Sequence, residues 1–315
     1  MTKRAQPFML SFLLTLLQSI STHAQYNLLP ETIEIAPLEK AITFARIKDN
    51  ETYSTLAVLA YTNNRLLAIN LNNLLNKPNL DAISLFNEFG YEKIIESIAT
   101  ADESVKTSIH AKSLILPVNL NKNNIAAGTN YKAHAQETDI TKTPFLFSKR
   151  VQPSSPYSQV PLTTPALDWE VELAFVPLKD ITESVQPNYI GLILSNDFSN
   201  RKILMHNVDI NNVESGKGFV QGKSAPGLLP VGNLFVIPKD YRSFSKSIQL
   251  RLNVNDQPKQ QTFSQQMIWD IDEILSEIWK AKYRKWEYKN KSIGLLDQPN
   301  IISSRTLILS GTPEG

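Results

Sequence analysis

A strand-like stretch that carries two glutamates, ALDWEVELAFV at residues 166 to 176, constrains this chain more than any other feature. Glu170 and Glu172 lie two residues apart among Leu, Trp, Val and Phe. In a β-strand, residues i and i+2 share a face and lie about 6.6 Å apart along the strand. The pair therefore predicts one of two structures. It forms either a half-solvated edge strand or a buried strand whose carboxylates converge on a cation.

A third carboxylate, Asp197 in LILSNDFSNR, ends an apolar strand and begins a polar turn. An aspartate in that position often only hydrogen-bonds its own backbone. Three carboxylates from two strands would instead suit a hard, oxygen-seeking ion such as Mg²⁺, with Mn²⁺ or Ca²⁺ as alternatives. Zinc is disfavoured, because the sequence has no cysteine and its four histidines are scattered.

Two further segments carry residues suited to acid–base and charge chemistry. His134 and Glu137 lie three apart in GTNYKAHAQE, so a helix there would place them on one face. The carboxylate would orient the imidazole as a base that activates water, although such pairs also occur on ordinary surface helices. Lys223 lies in VQGKSAPG, where its ammonium could meet a carboxylate or an enolate. The glycine spacing there does not match a phosphate-binding loop.

The first 24 residues are typical of an export signal. Lys3 and Arg4 precede an apolar run at residues 8–17, and small residues offer a cleavage site after Ala24. We expect the mature protein to begin at Gln25 in the periplasm or outside the cell, with an uncleaved interfacial anchor as the alternative. The chain has 32 basic and 30 acidic residues, so its charge gives no argument for a nucleic-acid partner.

The rest of the chain divides into two regions. Residues 25–120 predict a small N-terminal α+β domain, with a hairpin turn at Asn63-Asn64 and helical periodicity in AISLFNEFGYEKIIESIATADES. Residues 121–315 predict a β-rich barrel-like or sandwich domain punctuated by Pro and Asn. One helix is predicted there in TFSQQMIWDIDEILSEIWK, where Thr262 and Gln265 have the spacing of a capping box.

Residues 279–291, WKAKYRKWEYKNK, interleave basic and aromatic side chains directly after this helix. Such a segment could form a patch that makes weak contact with a membrane surface or a polyanion. The alternative that we favour is a solvated extension of the helix with packed aromatic rings.

The order of these motifs resembles the fumarylacetoacetate hydrolase family. Its members share, in order, an NYxxHxxE-like segment, PxlFxK, D-[YW]-E-x-E-L, ND-x-S-x-R, GKS and GTP-x-G. This chain has NYKAHAQE, PFLFSK, DWEVEL, NDFSNR, GKS and GTPEG in the same order. The resemblance implies a mixed α/β, β-rich fold, a fumarylacetoacetase-like β-roll catalytic domain behind a small N-terminal α+β domain, and a homodimer. Relatives usually run on for a few strands beyond the position of Gly315, so we expect either a C-terminal truncation or a barrel closed differently.

The resemblance also implies roles for individual residues. The divalent ion would be held by Glu170, Glu172 and Asp197. The catalytic groups would be His134 and Glu137, on a short lid helix, and Lys223. The substrate's carboxylate or carbonyl oxygens would be positioned by Arg201 and Thr312.

The implied reaction is cleavage of a C–C bond in an acylpyruvate or related 2-keto or β-diketo acid, by hydrolysis or decarboxylation. The ion would hold the 2-keto acid and stabilise the enolate left when the bond breaks. His134 would activate water, and Lys223 would stabilise the oxyanion. Isomerisation or hydration of a 2-hydroxydienoate is a variant that the family also performs.

Two departures from the family pattern concern the substrate. Many members continue the ND-x-S-x-R motif with DxQ, whereas residues 202–204 are Lys, Ile and Leu here, which removes a polar contact. Ala225 and Pro226 follow GKS where an aspartate or an aromatic residue is usual. The alternative function is an exported, non-catalytic small-molecule-binding protein that keeps the pocket. Buried like charges favour the enzyme, because a binding protein has no need to keep them facing one another.

Overall fold

The computed structural model describes residues 32–138, 143–161 and 166–314. The predicted export signal and its cleavage after Ala24 lie outside these residues, so export and localisation stay predictions. Within the described ranges, no helix is both long and apolar enough to cross a bilayer.

The described chain folds around a large β-sheet, which confirms the predicted mixed α/β, β-rich class. The strands are β1 (Thr32–Ile33), β2 (Ala41–Asp49), β3 (Thr52–Thr62), β4 (Arg65–Asn70), β5 (Lys106–His110), β6 (Asn123–Gly128), β7 (Phe145–Arg150), β8 (Leu167–Asp168), β9 (Val171–Pro177), β10 (Ile190–Asn196), β11 (Ser199–Asn200), β12 (Val231–Pro238), β13 (Gln249–Val254), β14 (Gln257–Phe263), β15 (Lys285–Tyr288), β16 (Lys291–Gly294) and β17 (Ile308–Leu309). The α-helices are α1 (Leu71–Leu74), α2 (Ala82–Ala99), α3 (Lys132–Thr138), α4 (Arg201–Asn207), α5 (Phe219–Lys223), α6 (Tyr241–Lys246) and α7 (Ile271–Lys280). Short 3₁₀ turns lie at Glu103–Val105, Ala111–Ser113, Val213–Ser215 and Ser264–Gln266.

The largest sheet has 11 strands and contains strands from both predicted regions. Its order is β5-β4-β3-β2-β12-β10-β9-β17-β6-β7, with β1 beside β3. Neighbouring strands are antiparallel except for β17 and β6, which are parallel. The two regions meet where β12 pairs with β2 and Phe235 lies opposite Phe44. One hydrophobic core runs along the sheet from Phe44 through Phe175 to Ile308. The division of the chain into domains at residues 25–120 and 121–315 stays a prediction.

The predicted hairpin at Asn63-Asn64 is confirmed. Both asparagines have positive φ, 51° and 58°, and they join β3 to β4. A two-residue hairpin turn of this hand requires positive φ at both central positions, which asparagine tolerates well. The predicted helix that follows is α2, which bends at Gly90, where φ is 75°.

Helix α7 begins later than the sequence pattern predicts. Its N-cap is Asp270, whose carboxylate accepts the backbone N–H of Glu273 while the Glu273 side chain accepts the N–H of Asp270. The predicted capping box at Thr262 and Gln265 is therefore wrong. Thr262 lies in β14 because the pairing of β13 with β14 continues to Phe263. The same Ser/Thr/Asp-to-Glu spacing recurs eight residues later, directly before the apolar repeat of α7.

The segment after α7 forms a hairpin, β15–β16, which we call the basic hairpin (285–294). Its turn residues Lys289 and Asn290 have φ of 51° and 60°. The predicted helix extension is therefore wrong. The predicted packing of aromatic rings is confirmed for Trp279 and Trp286, which are buried, and is wrong for Tyr283, which is 67% exposed. The indole Nε1 of Trp286 donates to the carbonyl of Ser215 at 2.9 Å, and the hydroxyl of Tyr288 donates to the carbonyl of Ser224 at 3.0 Å. Contact with a membrane surface stays a prediction.

Candidate active site

Strand β9 places the two glutamates inside the protein. It lies between β10 and β17 in the sheet, and all seven of its residues are buried. Glu170 directly precedes the strand and is 7% exposed, and Glu172 within it is 1% exposed. The half-solvated edge strand is therefore excluded, and two acidic side chains are held in a desolvated environment.

The third carboxylate joins them because β9 and β10 are antiparallel neighbours. Val171 at the start of β9 pairs with Asn196 at the end of β10, so the next residue, Asp197, reaches Glu170. The backbone N–H of Asp197 donates to the carbonyl of Glu170 at 2.8 Å. Ligand oxygens of Glu170, Glu172 and Asp197 all lie within 4.8 Å of one another. We call these three residues the carboxylate cluster.

Two buried lysines contact the carboxylate cluster. The Nζ of Lys223 donates to Glu170 Oε2 at 2.6 Å and to Asp197 Oδ2 at 2.9 Å. The Nζ of Lys149 donates to the other oxygen of Asp197 and, at 2.6 Å, to the carbonyl of Lys223. Lys149 is the lysine of PFLFSK, and the sequence interpretation gave it no role. A lysine at the end of an otherwise apolar strand motif was the signal that could have found it.

When all groups are ionised, this region keeps an excess of one negative charge. Four carboxylates, those of Glu170, Glu172, Asp197 and Asp168, face three cations, those of Lys149, Lys223 and Arg201. Burial raises the pKa of Glu172 well above its usual range, and the nearby charges of Asp197 and Glu170 raise it further. Burial would also raise the pKa of Asp197, but the ammonium groups of Lys149 and Lys223 outweigh it and lower that pKa. Converging carboxylate oxygens with excess negative charge suit a hard divalent cation. The carboxylate cluster therefore fits the predicted metal site.

The GTPEG segment supports Glu172 directly and is more than a turn. The backbone N–H of Gly311 donates to Glu172 Oε2 at 2.7 Å. Gly311 has a φ of +91°, and a Cβ there would come within 2.9 Å of the Cβ of Asn130. Asn130 in turn donates from Nδ2 to the carbonyl of Ser310 at 2.8 Å. The asparagine of the NYKAHAQE motif thus helps to hold the glycine turn against the carboxylate.

Arg201 and Thr312, the predicted substrate-binding residues, both line the same cavity as Glu170 and Asp197. Arg201 opens α4, donates from Nε to Asp168 Oδ2 at 2.8 Å, and keeps 36% of its side chain exposed. Another of its nitrogens donates to Glu170 Oε1 at 3.0 Å. The roles of Arg201 and Thr312 toward a substrate stay predictions.

The hydroxyl of Thr312 is engaged on both sides. It donates to the carbonyl of Val171 at 3.3 Å and accepts from Gln260 Nε2 at 2.9 Å. Gln260 also accepts the N–H of Val171 at 2.9 Å through its own carbonyl oxygen. This glutamine lies 89 residues beyond Val171 in the chain, and no local motif marked it.

Close packing of α4 and α5 positions Lys223 at the end of α5. A Cβ added at Gly222 would lie 2.6 Å from the Cβ of Leu204, so only glycine allows this approach. The basic hairpin supports α5 from the other side, because Gln221 Nε2 donates to the carbonyl of Glu287 at 2.7 Å. The GK dipeptide of the motif therefore combines a packing residue with the ammonium that contacts the carboxylate cluster.

His134 lies on α3 and lines the cavity, half-buried. The side chain of its predicted partner, Glu137, lies outside the described part of the chain. The position of His134 places an imidazole beside the carboxylate cluster's cavity, whereas the predicted His134–Glu137 pair stays a prediction.

The cavity has a volume of about 410 Å³, within the usual range for a small-molecule site. Its polar lining includes Glu170, Asp197, Arg201 and Lys223. Three phenylalanine rings, Phe145, Phe147 and Phe219, pack with centroids 4.9 to 6.1 Å apart beside it. A further part of the lining, which we call the apolar wall, consists of Leu204, Met205, Val208, Ile210, Val213 and Phe219.

Known proteins with similar sequences include two that are named oxaloacetate tautomerase, mitochondrial. The protein from Xenopus laevis is 29% identical over 181 residues, which are 54% of this chain and 53% of that protein. The chain thus spans about half the length of this relative. The protein from Arabidopsis thaliana is 27% identical over 203 residues, which are 61% of this chain and 78% of that protein.

Solved structures share the fold over most of the chain. The fumarylacetoacetate hydrolase from Exiguobacterium antarcticum has a TM-score of 0.59 at 19% identity and covers 87% of both chains. The 2-hydroxyhepta-2,4-diene-1,7-dioate isomerase from Mycobacterium marinum has a TM-score of 0.52 at 18% identity, over 87% of this chain and 88% of that one.

The sequence profile described as Fumarylacetoacetate (FAA) hydrolase C-terminal matches residues 123–315, more than half of the chain. This range contains the carboxylate cluster, both lysines that contact it and the residues of the cavity. The chain belongs to the fumarylacetoacetate hydrolase family.

Proposed function

We propose that this protein is a divalent-metal-dependent enzyme that cleaves a C–C bond in an acylpyruvate or a related 2-keto acid, by hydrolysis or decarboxylation. The observation that carries the proposal is the buried carboxylate cluster with its excess negative charge, beside a cavity that also contains Arg201 and Lys223. A divalent ion held by Glu170, Glu172 and Asp197 would act as a Lewis acid toward the oxygens of the 2-keto acid.

Arg201 and Lys223 have different parts in this proposal. The side chain of Arg201 is 36% exposed, so its positive charge can attract a substrate carboxylate while it also holds Asp168 and Glu170. The ammonium of Lys223 is buried and fixed between Glu170 and Asp197. A fixed cation in a desolvated site stabilises negative charge that develops on a reacting oxygen.

His134 would serve as the base that takes a proton from the attacking water. Hydrolysis of an acylpyruvate requires this water at the distal carbonyl, whereas decarboxylation of a β-keto acid does not. We therefore expect His134→Gln to lower hydrolysis by about 100-fold or more and to leave decarboxylation nearly unchanged. Equal losses of both activities would contradict this role.

A second candidate is keto–enol tautomerisation of a 2-keto acid, in which no C–C bond breaks. It is favoured by the 27–29% identity to the two proteins named oxaloacetate tautomerase. Both reactions pass through an enolate, so the same charged residues would serve either. The products distinguish them: cleavage yields two fragments, whereas tautomerisation yields the keto and enol forms of one compound.

The experiment that tests the proposal is an assay of the purified protein on acetylpyruvate, fumarylpyruvate and oxaloacetate. Loss of enol absorbance is followed with Mg²⁺ or Mn²⁺ and then with EDTA, and products are identified by NMR. Glu172→Gln is compared with Glu183→Gln, the same substitution at an exposed acid paired with Lys282. We expect metal-dependent turnover that Glu172→Gln loses and Glu183→Gln keeps.

Turnover that survives in Glu172→Gln would contradict the proposal. Metal-dependent binding of these acids without any product would support the non-catalytic binding protein instead. Export, with a mature terminus at Gln25, and a homodimer also remain proposals. N-terminal sequencing of the secreted protein and light scattering of the purified one test them.

A further inference from the structure

The apolar wall comes from one continuous stretch of chain that begins beside Arg201. Leu204 and Met205 belong to α4, Val208 and Ile210 follow it, and Val213 precedes α5. Leu204 stands where many family members have the glutamine of DxQ, and it is buried against Gly222. The segment that begins with Arg201, the residue proposed to bind the substrate carboxylate, therefore continues directly into an apolar surface of the same cavity.

The cations of the cavity leave none for a second substrate carboxylate. Among the described residues that line it, the lysine and arginine side chains are Lys223 and Arg201. Lys223 is buried between Glu170 and Asp197, and Arg201, which also pairs with Asp168 and Glu170, is the residue proposed for the first carboxylate of the 2-keto acid. A second substrate carboxylate placed against Leu204, Val208 and Val213, the buried and half-buried part of the apolar wall, would lose its hydration. It would gain no ionic partner from these side chains, so its binding there is unfavourable.

We propose that the substrate is a 2-keto acid with a single carboxylate and an apolar, uncharged tail, and that the apolar wall binds this tail. This inference rests on the proposed function and narrows its substrate class. An alkyl chain would be desolvated by Leu204, Val208 and Val213. A phenyl ring would also meet the edge of Phe219 in a favourable aromatic contact.

The first test is a kinetic series of acylpyruvates that differ in their tails. From acetylpyruvate to hexanoylpyruvate, kcat/KM should rise about fourfold for each methylene until the wall is covered. Fumarylpyruvate, which ends in a carboxylate, should be turned over at least about tenfold less efficiently than hexanoylpyruvate. Equal or better turnover of fumarylpyruvate would overturn the inference.

The second test measures binding without turnover, so that it separates the inference from the proposed function. Calorimetry with Mg²⁺ compares 2-oxooctanoate with 2-oxoadipate, neither of which has the distal carbonyl that hydrolysis needs. Tighter binding of 2-oxooctanoate supports the inference even if no acylpyruvate is cleaved. Tighter binding of 2-oxoadipate contradicts the inference alone, and binding of neither acid contradicts both proposals.

A pair of variants tests the wall itself. Met205 lines the cavity and is 59% exposed, so Met205→Lys should fold normally and place a cation beside the tail. Its neighbour Ile203 is 40% exposed and is not among the lining residues, so Ile203→Lys is the matched control. We expect Met205→Lys to shift the binding ratio at least about tenfold toward 2-oxoadipate and Ile203→Lys to leave it unchanged. An unchanged ratio in Met205→Lys, or equal shifts in both variants, would overturn the assignment.

Discussion

Asp81 and Glu172 are almost equally hidden from solvent, at 2% and 1% exposure. Their charged neighbours differ, because Asp81 faces an arginine and Glu172 faces two other carboxylates. Asp81 accepts the backbone N–H groups of Ser84 and Asn119, each at 3.0 Å, and a two-nitrogen contact from Arg305. Burial alone would raise the pKa of Asp81, but these hydrogen bonds and the Arg305 charge lower it to about 2. The pKa of Glu172 is raised, because burial and two carboxylates surround it.

The difference teaches how a buried carboxylate that stabilises the fold can be told from one that is a candidate metal ligand. Asp81 caps α2 and joins it to the distant Arg305 with donors and charge in balance. Glu172 lies in a cluster where acids outnumber cations, which makes the folded protein less stable unless a cation enters. Perturbation of this kind, together with a cavity, marks a site where binding energy is available for chemistry.

The largest expected effect is that of Glu172→Gln. The amide is isosteric and keeps an oxygen for the N–H of Gly311, but it removes one charge from the carboxylate cluster. We expect kcat/KM to fall by about 1,000-fold, because the metal ligand set is incomplete. In EDTA, the free energy of unfolding should rise by roughly 1 kcal/mol, because repulsion is relieved. Urea denaturation and the acylpyruvate assay measure both, and a less stable variant in EDTA would contradict the comparison.

Removal of the negative charge of Asp81 should have the reverse effect of Glu172→Gln: stability should fall and activity should stay nearly unchanged. Asp81→Asn leaves Arg305 without its counterion in a largely buried position. We expect the free energy of unfolding to fall by about 3 kcal/mol and kcat/KM to change by less than about threefold. Urea denaturation and the acylpyruvate assay measure these effects. A large loss of activity in folded Asp81→Asn would contradict the distinction between the Asp81–Arg305 pair and the carboxylate cluster.

Acid should reduce the difference in the free energy of unfolding between wild type and Asp81→Asn. The folded-state pKa of Asp81 is lowered to about 2 from an ordinary value of 3.8, so its stabilisation is complete above the ordinary value. That stabilisation is lost as the pH falls through the folded pKa, with about half gone near pH 3. Urea denaturation at pH 7, 5, 4 and 3 should show that the difference in the free energy of unfolding between wild type and Asp81→Asn, the stability gap, narrows toward low pH. A gap that widens would contradict the assigned pKa direction.

The smallest effect concerns the support of Lys223 from outside the cluster. Tyr288→Phe removes the hydrogen bond from the basic hairpin to the carbonyl of Ser224, beside Lys223. We expect a loss of about 1 kcal/mol in the free energy of unfolding and a reduction of kcat of about twofold to fivefold. Tyr283→Phe, at an exposed position before the hairpin, is the control. Equal effects of the two variants would show that the hairpin does not position Lys223.

The sequence predicted the carboxylate cluster because its geometry is local. The i and i+2 spacing sets Glu170 and Glu172, and an aspartate at the end of the following strand meets them when the two strands pair. The contacts of Lys149 with Asp197 and of Gln260 with Val171 span 48 and 89 residues, so no pattern within one segment reveals them. The sequence pattern predicted a helix there because lysines and aromatic residues follow α7 without a break. The Lys289-Asn290 turn instead joins β15 to β16 and makes the segment a hairpin.

The placement of Arg201 and the apolar wall on one segment has a consequence for how this fold diversifies. The acids of the carboxylate cluster are fixed by the register of β9 and β10, where a shift of one residue would move every side chain to the other face. Residues 201–219 form a helix and a loop outside the 11-stranded sheet. Under the proposed function, substitutions in this stretch would change which substrate tails are accepted and would leave the carboxylate cluster unchanged. Evolution of new substrate ranges would therefore concentrate its changes in this short stretch and spare the strands.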